Sequence, residues 1–507
     1  MNFYESMKRN VMVETENGAL GYATSGKQLV DLNFAAGSMR DMTDKEIVDK
    51  FMTSYLIDPI NSIRWLFYAR DIKNGMGERR TFRVILRHLV MTGAITSFKY
   101  RNLYDIIADY GRLDDFINLI DKVNEVQKAQ IVEVLAEHLA ADILDMKTGR
   151  PISLLGKWMP SINTTSAKTK ARARVIARLM GISHAQYRKL LRDLREHINV
   201  VEAKISRNKW DEVVYEAVPS YANLKYSNAF LRHDKERRAE FLGKVSTGEA
   251  EIKAGTLFTY DIVRNYNVGW YGDLKAKDET LEALWKNLPE REIKNTLVVA
   301  DGSGSMTVTV GNSRVRALDV ANSLAIYFAE HNEGEFKNKY ITFSENPQFV
   351  EFDEGASLRD KLQVALSYNE VANTNIQAVF DLILKTAIRN EVPQEELPER
   401  ILIISDMEFD EATYSWDDSV SKPSKALFEE IADEYAAADY KLPRLVFWNT
   451  NSRTQAIPVQ ENDLGVALVS GFSTAVAEMV MSDKTDPYEI LLEKLADYER
   501  VDALIED

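Results

Sequence analysis

The sequence predicts a multidomain protein of α and α/β class, with a helical-repeat half followed by a doubly wound α/β half. Three observations predict it. At 507 residues the chain exceeds what one ordinary core supports. Between residues 40 and 285 apolar residues recur with the helical period. After Pro289, strand-like apolar runs alternate with helical patterns, which argues for a mostly parallel sheet with helices on its faces.

Taken in order, Thr15–Ser38 is rich in Gly, Ala and Ser and is expected to be an extended arm. Helical patterns then cover Thr43–Leu56, Leu103–Ile120, Val126–Ile143, Ala167–Met180 and Ala222–Leu242. Phe82, Ile85, Leu86 and Leu89 fall at i, i+3, i+4 and i+7, and Tyr187, Leu190, Leu191, Leu194 and Ile198 form a second stripe. Helix pairs of this length suggest a repeat architecture without a clean sequence period. The expected strands are Thr296–Ala300, Tyr340–Phe343, Gln348–Phe352, Ile401–Ser405, Leu445–Trp448 and Val466–Ser470, with helices at Arg314–His331, Asn375–Arg389 and Lys425–Ala438. A last amphipathic helix spans Tyr488–Leu504. The expected division is residues 1–288 for the helical half, 289–482 for the α/β half and 483–507 for a C-terminal helix.

Composition narrows the function classes. The chain has no cysteine, which excludes disulfides, thiolate metal sites and cysteine nucleophiles. No run approaches the length of a membrane span, and the N-terminus lacks an apolar signal region, so the expectation is a cytoplasmic protein without membrane contact. The net charge of −15 argues against indiscriminate nucleic-acid binding, but it is unevenly spread. Residues 64–101 hold nine Lys/Arg against two acids, and residues 168–209 hold twelve against three. Residues 395–441 reverse the balance, with fourteen acids against four bases.

The strand-like run Thr296-Leu297-Val298-Val299-Ala300 opens directly into Asp301-Gly302-Ser303-Gly304-Ser305. One carboxylate and two hydroxyls on a loop of small residues suit a hard divalent cation. Thr374 opens a following helix, and Asp406 follows the strand Ile401–Ser405, so both are expected at the same sheet edge as Asp301. Asp301, Ser303, Ser305, Thr374 and Asp406 are therefore the candidate metal ligands, for Mg²⁺ or Mn²⁺.

At these residues the chain resembles the von Willebrand factor A domain and its metal-ion-dependent adhesion site. The resemblance implies a metal that is not a hydrolytic centre but holds an open position for a partner's carboxylate oxygen. Where that family often reads Gly-Gly-Thr-Asp in its second loop, this chain has Ala372-Asn373-Thr374-Asn375.

Arg80, Arg83 and Arg87 form one cationic helical row, and Lys170, Arg174 and Arg178 another. Such rows can neutralise phosphates, with salt-sensitive affinity, while Trp65, Tyr68, Tyr187 and Trp210 are candidates for stacking on bases. For each row the alternative is a solvated helix face, and for Trp65 and Trp210 a place in the core. With their neighbours, the candidate RNA contacts are Arg79, Arg80, Arg83, Arg87, Lys168, Lys170, Arg172, Arg174 and Arg178.

A helical half followed by an adhesion-site half resembles the Ro autoantigen-like family, whose TROVE-type, HEAT-like helical ring is closed by a von Willebrand A domain. The stretches that carry the resemblance, closest to a less characterised Ro-like family of that architecture, are Trp65–Arg87, Ile107–Asp115, Leu155–Pro160, Tyr187–Lys225, Thr256–Val263 and Leu402–Asp410. It implies binding of structured RNA on the basic outer surface and of single-stranded RNA ends in the ring.

Enzyme signatures are missing from the sequence. There is no GxxxxGK[ST], no HExxH and no GxSxG, and the six histidines are scattered. The expected function is thus non-catalytic RNA binding with a divalent-cation adhesion site. The alternatives are a protein-interaction scaffold that uses the metal to bind a partner carboxylate without nucleic acid, and a metal-dependent phosphoryl hydrolase or nuclease that draws on Glu408 and Asp410.

Overall fold

The computed structural model describes residues 12–267, 273–291, 293–311, 313, 315–343, 346–368, 375–409, 427–458, 466–484 and 486–505. They fall into two compact units. One takes in the described parts of 1–65, 73–78 and 254–497, and the other those of 66–72, 79–253 and 498–507. This division differs from a linear one at residue 288.

The first unit is built on a mixed six-stranded sheet. Its strands are β3 (Thr296–Asp301), β4 (Lys339–Phe343), β5 (Gln348–Glu351), β6 (Arg400–Ser405), β7 (Arg444–Asn449) and β8 (Ala467–Ser470); β1 (Met12–Glu14) and β2 (Leu20–Tyr22) form a separate antiparallel ribbon. The order is β5-β4-β3-β6-β7-β8, all pairs parallel except β4 with β5. Every residue of β3 is buried, as expected for a strand covered on both faces. The chain runs outward from β3 to β4 and β5, then crosses back to β6 on the other side of β3. The carboxyl ends of β3 and β6 therefore flank the reversal in strand order, the position where open α/β sheets place ligands.

Helices of the unit follow from sequence pattern. Ala317–His331 is apolar nearly all round and is buried from Ala317 to Ala329. Gln377–Arg389 and Leu427–Ala437 link the later strands, close to the expected spans. Segment 254–288 joins this unit because its helices Thr259–Tyr266 and Glu279–Lys286 are bonded into it. The Thr259 and Ser323 hydroxyls lie 2.8 Å apart, and Glu282 accepts from the N–H groups of Leu358 and Arg359 at 2.8 and 3.1 Å. That places a carboxylate at the start of the helix Leu358–Ser367, where the helix dipole favours it.

Thr15–Ser38 is not an extended arm. It contains β2 and the helix Gln28–Phe34, and it is sewn to the sheet by backbone and side-chain bonds. Tyr22 and Ile457 exchange N–H···O bonds of 2.8 and 2.9 Å, Asn449 Nδ2 donates to the Phe34 carbonyl at 2.8 Å, and the Gly37 N–H donates to Ser470 Oγ at 2.9 Å. Small residues are needed here for close approach: a Cβ on Gly37 would stand 2.8 Å from the Thr450 carbonyl oxygen. The expected C-terminal helix is also shorter. Pro487–Ala496 begins at the Asp486 cap with Pro487 in its first turn and ends near Asp497; a 3₁₀ segment, Glu499–Leu504, belongs to the other unit.

The second unit is helical. In Arg79–Thr92 the predicted stripe Phe82, Ile85, Leu86 and Leu89 is fully buried. Glu125–Lys147 and His184–His197 open on capping boxes from Asn124 and Ser183. Ala167–Leu179 is capped by Ser166 and closed by Gly181 at φ +69°, with the Ile182 N–H donating to the Ala177 carbonyl at 3.1 Å, a Schellman ending. Two expected helices are broken. Leu103–Ile120 divides at Gly111, and Ala222–Leu242 becomes Ser220–Lys225, Ser227–His233 and Lys235–Ser246. At the second break Asp234 leaves helical geometry and accepts from Tyr215 and Arg237 at 2.8 and 2.9 Å. Among the described residues, no helix is long and apolar enough to cross a membrane.

Candidate metal centre and basic pocket

Asp301 ends β3, and Asp406 directly follows β6, the strand paired with β3 in parallel register. Both carboxylates are buried. Asp301 Oδ1 accepts from the Ser303 N–H at 2.9 Å, and Oδ2 accepts from the Ser405 hydroxyl at 2.6 Å. Ser303 Oγ and Ser305 Oγ stand 3.1 Å apart, and the Ser305 hydroxyl holds the Asp406 carboxyl down against its burial. Four of the five predicted ligands are thus gathered at one sheet edge. The fifth, Thr374, lies outside the described residues; nearby, Asn375 Oδ1 accepts from the Ala378 N–H at 3.1 Å at the start of the helix Gln377–Arg389.

The turn after β6 holds its residues in an uncommon conformation. Met407 has φ +64°, left-handed backbone that a non-glycine residue rarely adopts. The Ser405 hydroxyl accepts from the Met407 N–H at 2.9 Å while donating to Asp301, so one side chain both closes this turn and aims the neighbouring carboxylate.

Burial pushes the Asp301 carboxyl up to about 7, and the Asp406 charge adds to the shift. Burial raises Asp406 as well, against the pull of Arg453. Two buried carboxylates and two hydroxyls form a hard-oxygen donor set that gains from a divalent cation, so the residues present fit Mg²⁺ or Mn²⁺. Among the described residues, no group of three or more His, Asp or Glu stands together as a metal cluster; the set rests on two acids and hydroxyls.

Sequence reasoning missed the cation already present. Arg453 Nη1 donates to Asp406 Oδ2 at 3.0 Å, and Arg453 Nη2 pairs with Glu16 at 2.7 Å. Arg453 lies beyond β7, which runs parallel to β6, so its loop leaves the sheet at the same edge. That topology was the available signal. Glu408, kept as an acid for the nuclease alternative, is fully buried and already engaged. It accepts from the N–H groups of Glu16, Arg453 and Thr454 at 2.9, 2.7 and 2.9 Å, and from the Thr454 hydroxyl. Its partner in that alternative, Asp410, lies outside the described residues.

In the helical unit the two predicted basic rows do not meet as rows. Arg83 and Arg87 of the first, with Lys168 and Arg172, neighbours of the second, line one cavity of about 190 Å³, while Arg80, Lys170, Arg174 and Arg178 do not line it. Carboxylates are interleaved with them. Arg83 pairs with Asp115 at 2.5 Å and Asp114 at 2.7 Å, and Arg172 pairs with Asp121 at 2.6 Å, with Lys168 3.3 Å from the same carboxylate. Arg79, Arg80 and Arg174 are exposed, Lys170 is half-exposed, and Arg178 lies 3.6 Å from Glu125 on the surface.

Residues 98–296 match the family model described as Domain of unknown function (DUF2828). Residues 295–501 match the one described as Domain of unknown function (DUF7788). The boundary between the two falls at the start of β3. Over 526 residues the chain is 26% identical to Uncharacterized protein L728 of Acanthamoeba polyphaga mimivirus, covering 96% of this chain and 87% of that protein. The similarity therefore spans both matched regions.

The predicted aromatic platforms mostly leave the surface. Trp65, Tyr68 and Tyr187 are fully buried; the Trp65 indole N–H donates to Asn33 Oδ1 at 3.1 Å and the Tyr187 hydroxyl donates to the Pro160 carbonyl at 2.9 Å. Their polar tips are satisfied inside the core, which removes them as base-stacking surfaces. Trp210 is partly exposed but stacks on His233, with ring centroids 4.5 Å apart.

Proposed function

We propose that the chain is a non-catalytic RNA-binding protein of Ro type. Its helical half, read as HEAT-like and TROVE-like, holds RNA phosphates, and its von Willebrand A-like half carries a divalent-cation adhesion site. The observation that carries the reading is the meeting of Arg83 and Arg87 with Lys168 and Arg172 on one cavity in an otherwise acidic protein. Phosphate recognition needs such a convergence of cations from two helices on one concave spot. Asp301, Ser303, Ser305 and Asp406 would hold the Mg²⁺ or Mn²⁺ ion, which supplies an attachment point for a carboxylate oxygen from a partner.

The test is a titration of the purified protein against an RNA hairpin with a single-stranded tail at several salt concentrations. Binding with a steep salt slope, weakened in an Arg87→Gln/Lys168→Gln variant, supports the reading; absence of binding at low salt refutes it.

A second reading is favoured by a specific observation. Asp114, Asp115 and Asp121 already neutralise Arg83 and Arg172. If that compensation is the purpose of the pairing, the protein is an interaction scaffold that binds a partner carboxylate at its metal and uses no nucleic acid. Cation-dependent capture of an acidic peptide, with no RNA binding, would select it.

A further inference from the structure

The cavity in the helical unit has a shape and charge that go beyond general attraction for RNA. Arg83, Arg87, Lys122, Lys168 and Arg172 face it, against the carboxylates of Asp115 and Asp121. Five cations face two carboxylates across it, and a third carboxylate, Asp114, pairs with Arg83 from outside the lining. Behind the wall the positive potential continues. Arg70 is 3% exposed and donates through Nε to Asp115 at 2.7 Å, yet its Nη2 has no hydrogen-bond partner among the described residues. Desolvation and the charges of Arg112, Arg70 and Arg83 hold Arg79 down to about 10, even though its side chain reaches solvent.

Size limits what the cavity can take. Pockets for drug-sized ligands run from about 300 to 1,000 Å³. At about 190 Å³ this one is of a size for an ion-sized group. Its donors are paired in space: Arg83 and Arg87 lie one turn apart on Arg79–Thr92, and Lys168 and Arg172 one turn apart on Ala167–Leu179. Two arginines offer planar forks and a lysine adds a mobile point charge, a mixture that fits several oxygens around one centre. A phosphate monoester carries about −1.5 to −2 at pH 7, more than the single charge of a backbone diester, and it ends a chain rather than passing through.

We propose that this cavity is a subsite for the terminal phosphate of an RNA strand, seated between Arg83 and Arg87 on one side and Lys168 and Arg172 on the other. The proposal rests on the RNA-binding reading and adds an end-group preference to it. Asp121 is then the internal competitor. Its carboxylate sits on Arg172 (2.8 Å to Nε, 2.6 Å to Nη2) and near Lys168, and the incoming phosphate takes over those donors.

The experiment compares one internally labelled single-stranded RNA bearing a 5′-phosphate, a 3′-phosphate or only hydroxyl ends, by fluorescence anisotropy with the full chain. One phosphorylated form is expected to bind about tenfold more tightly than the hydroxyl form, the scale of a single charge-assisted contact. Lys168→Gln/Arg87→Gln should abolish that preference, and Asp121→Asn should enlarge it. The opposite signs separate a binding effect from a folding effect, and melting curves without RNA check each variant. Equal affinity for all three RNAs overturns the subsite while leaving RNA binding in place. A preference that survives in Lys168→Gln/Arg87→Gln overturns its location. No binding of any RNA overturns the functional reading and the subsite with it.

Discussion

Arg453 and Asp406 form an ion pair at the carboxyl edge of the sheet, with Nη1 3.0 Å from Oδ2. Asp301 lies at the same edge without a cation of its own in the hydrogen bonds it makes; a serine hydroxyl and a backbone N–H hold it. Among the described residues, one acid of the candidate metal centre is therefore paired with a cation and the other is not. Burial and the Glu16 and Asp406 carboxylates oppose each other at Arg453, and the carboxylates prevail, holding it above the ordinary arginine range.

This asymmetry makes Arg453 a competitor of any cation bound by Asp406. In EDTA, Arg453→Gln should lower stability by about 3 kcal/mol, the lower end for breaking a buried pair, since Arg453 keeps a quarter of its side chain exposed. Added Mg²⁺ should then raise its melting temperature more than that of the wild type. A smaller Mg²⁺ shift in the variant would mean that Arg453 assists the metal.

Removing Asp301 tests the site itself. A cation at one hundred times its dissociation constant stabilises the folded state by about 2.7 kcal/mol. Thermal melting with and without Mg²⁺ should show a shift of that order in the wild type and none in Asp301→Asn. Equal shifts in both proteins would remove Asp301 from the ligand set.

The pH dependence follows from the same residue. Folded Asp301 is raised to about 7, whereas an unfolded aspartate titrates near about 3.9. Between those values the folded state binds the extra proton, so this stabilising contribution is complete below about pH 4 and is lost as pH rises through about 7. In EDTA, the stability difference between wild type and Asp301→Asn should move against the wild type from about pH 5 to about pH 8. A difference that does not change with pH contradicts the assignment.

Glu408 is predicted to be structural rather than reactive. Its buried carboxylate satisfies N–H groups of Glu16, Arg453 and Thr454, joining the N-terminal segment to two loops of the sheet unit. Glu408→Gln turns an NH₂ toward these donors and should cost about 2 kcal/mol, within the range for unmet buried polar groups. Urea unfolding measures it; an unchanged midpoint would show that the clamp carries no energy. RNA affinity should be unaffected.

The α/β half was legible because its inner strands are runs of β-branched and apolar residues buried on both faces, flanked by turn residues. Thr296–Asp301 and Arg400–Ser405 appear within a residue of their expected bounds. Once their parallel pairing was expected, Asp301 and Asp406 had to meet. Thr15–Ser38 misled because small residues read as a loose arm when nothing indicates what they touch; Gly37 is small because the Thr450 carbonyl stands against it. The Ala222–Leu242 pattern hid its breaks, since Asp234 leaves the helix for side-chain partners that no local period reveals.

The sequence by itself determined the order of the two regions, the mostly parallel sheet and the placing of Asp301, Ser303, Ser305 and Asp406 at one sheet edge, because strand pattern and loop position are local properties. Tertiary structure alone decided that Arg453 pairs with Asp406, that segment 254–288 belongs with the sheet, and that two distant basic helices close on one cavity. Those are contacts between residues far apart in the chain, and their energies come from burial and charge that exist only once the chain has folded.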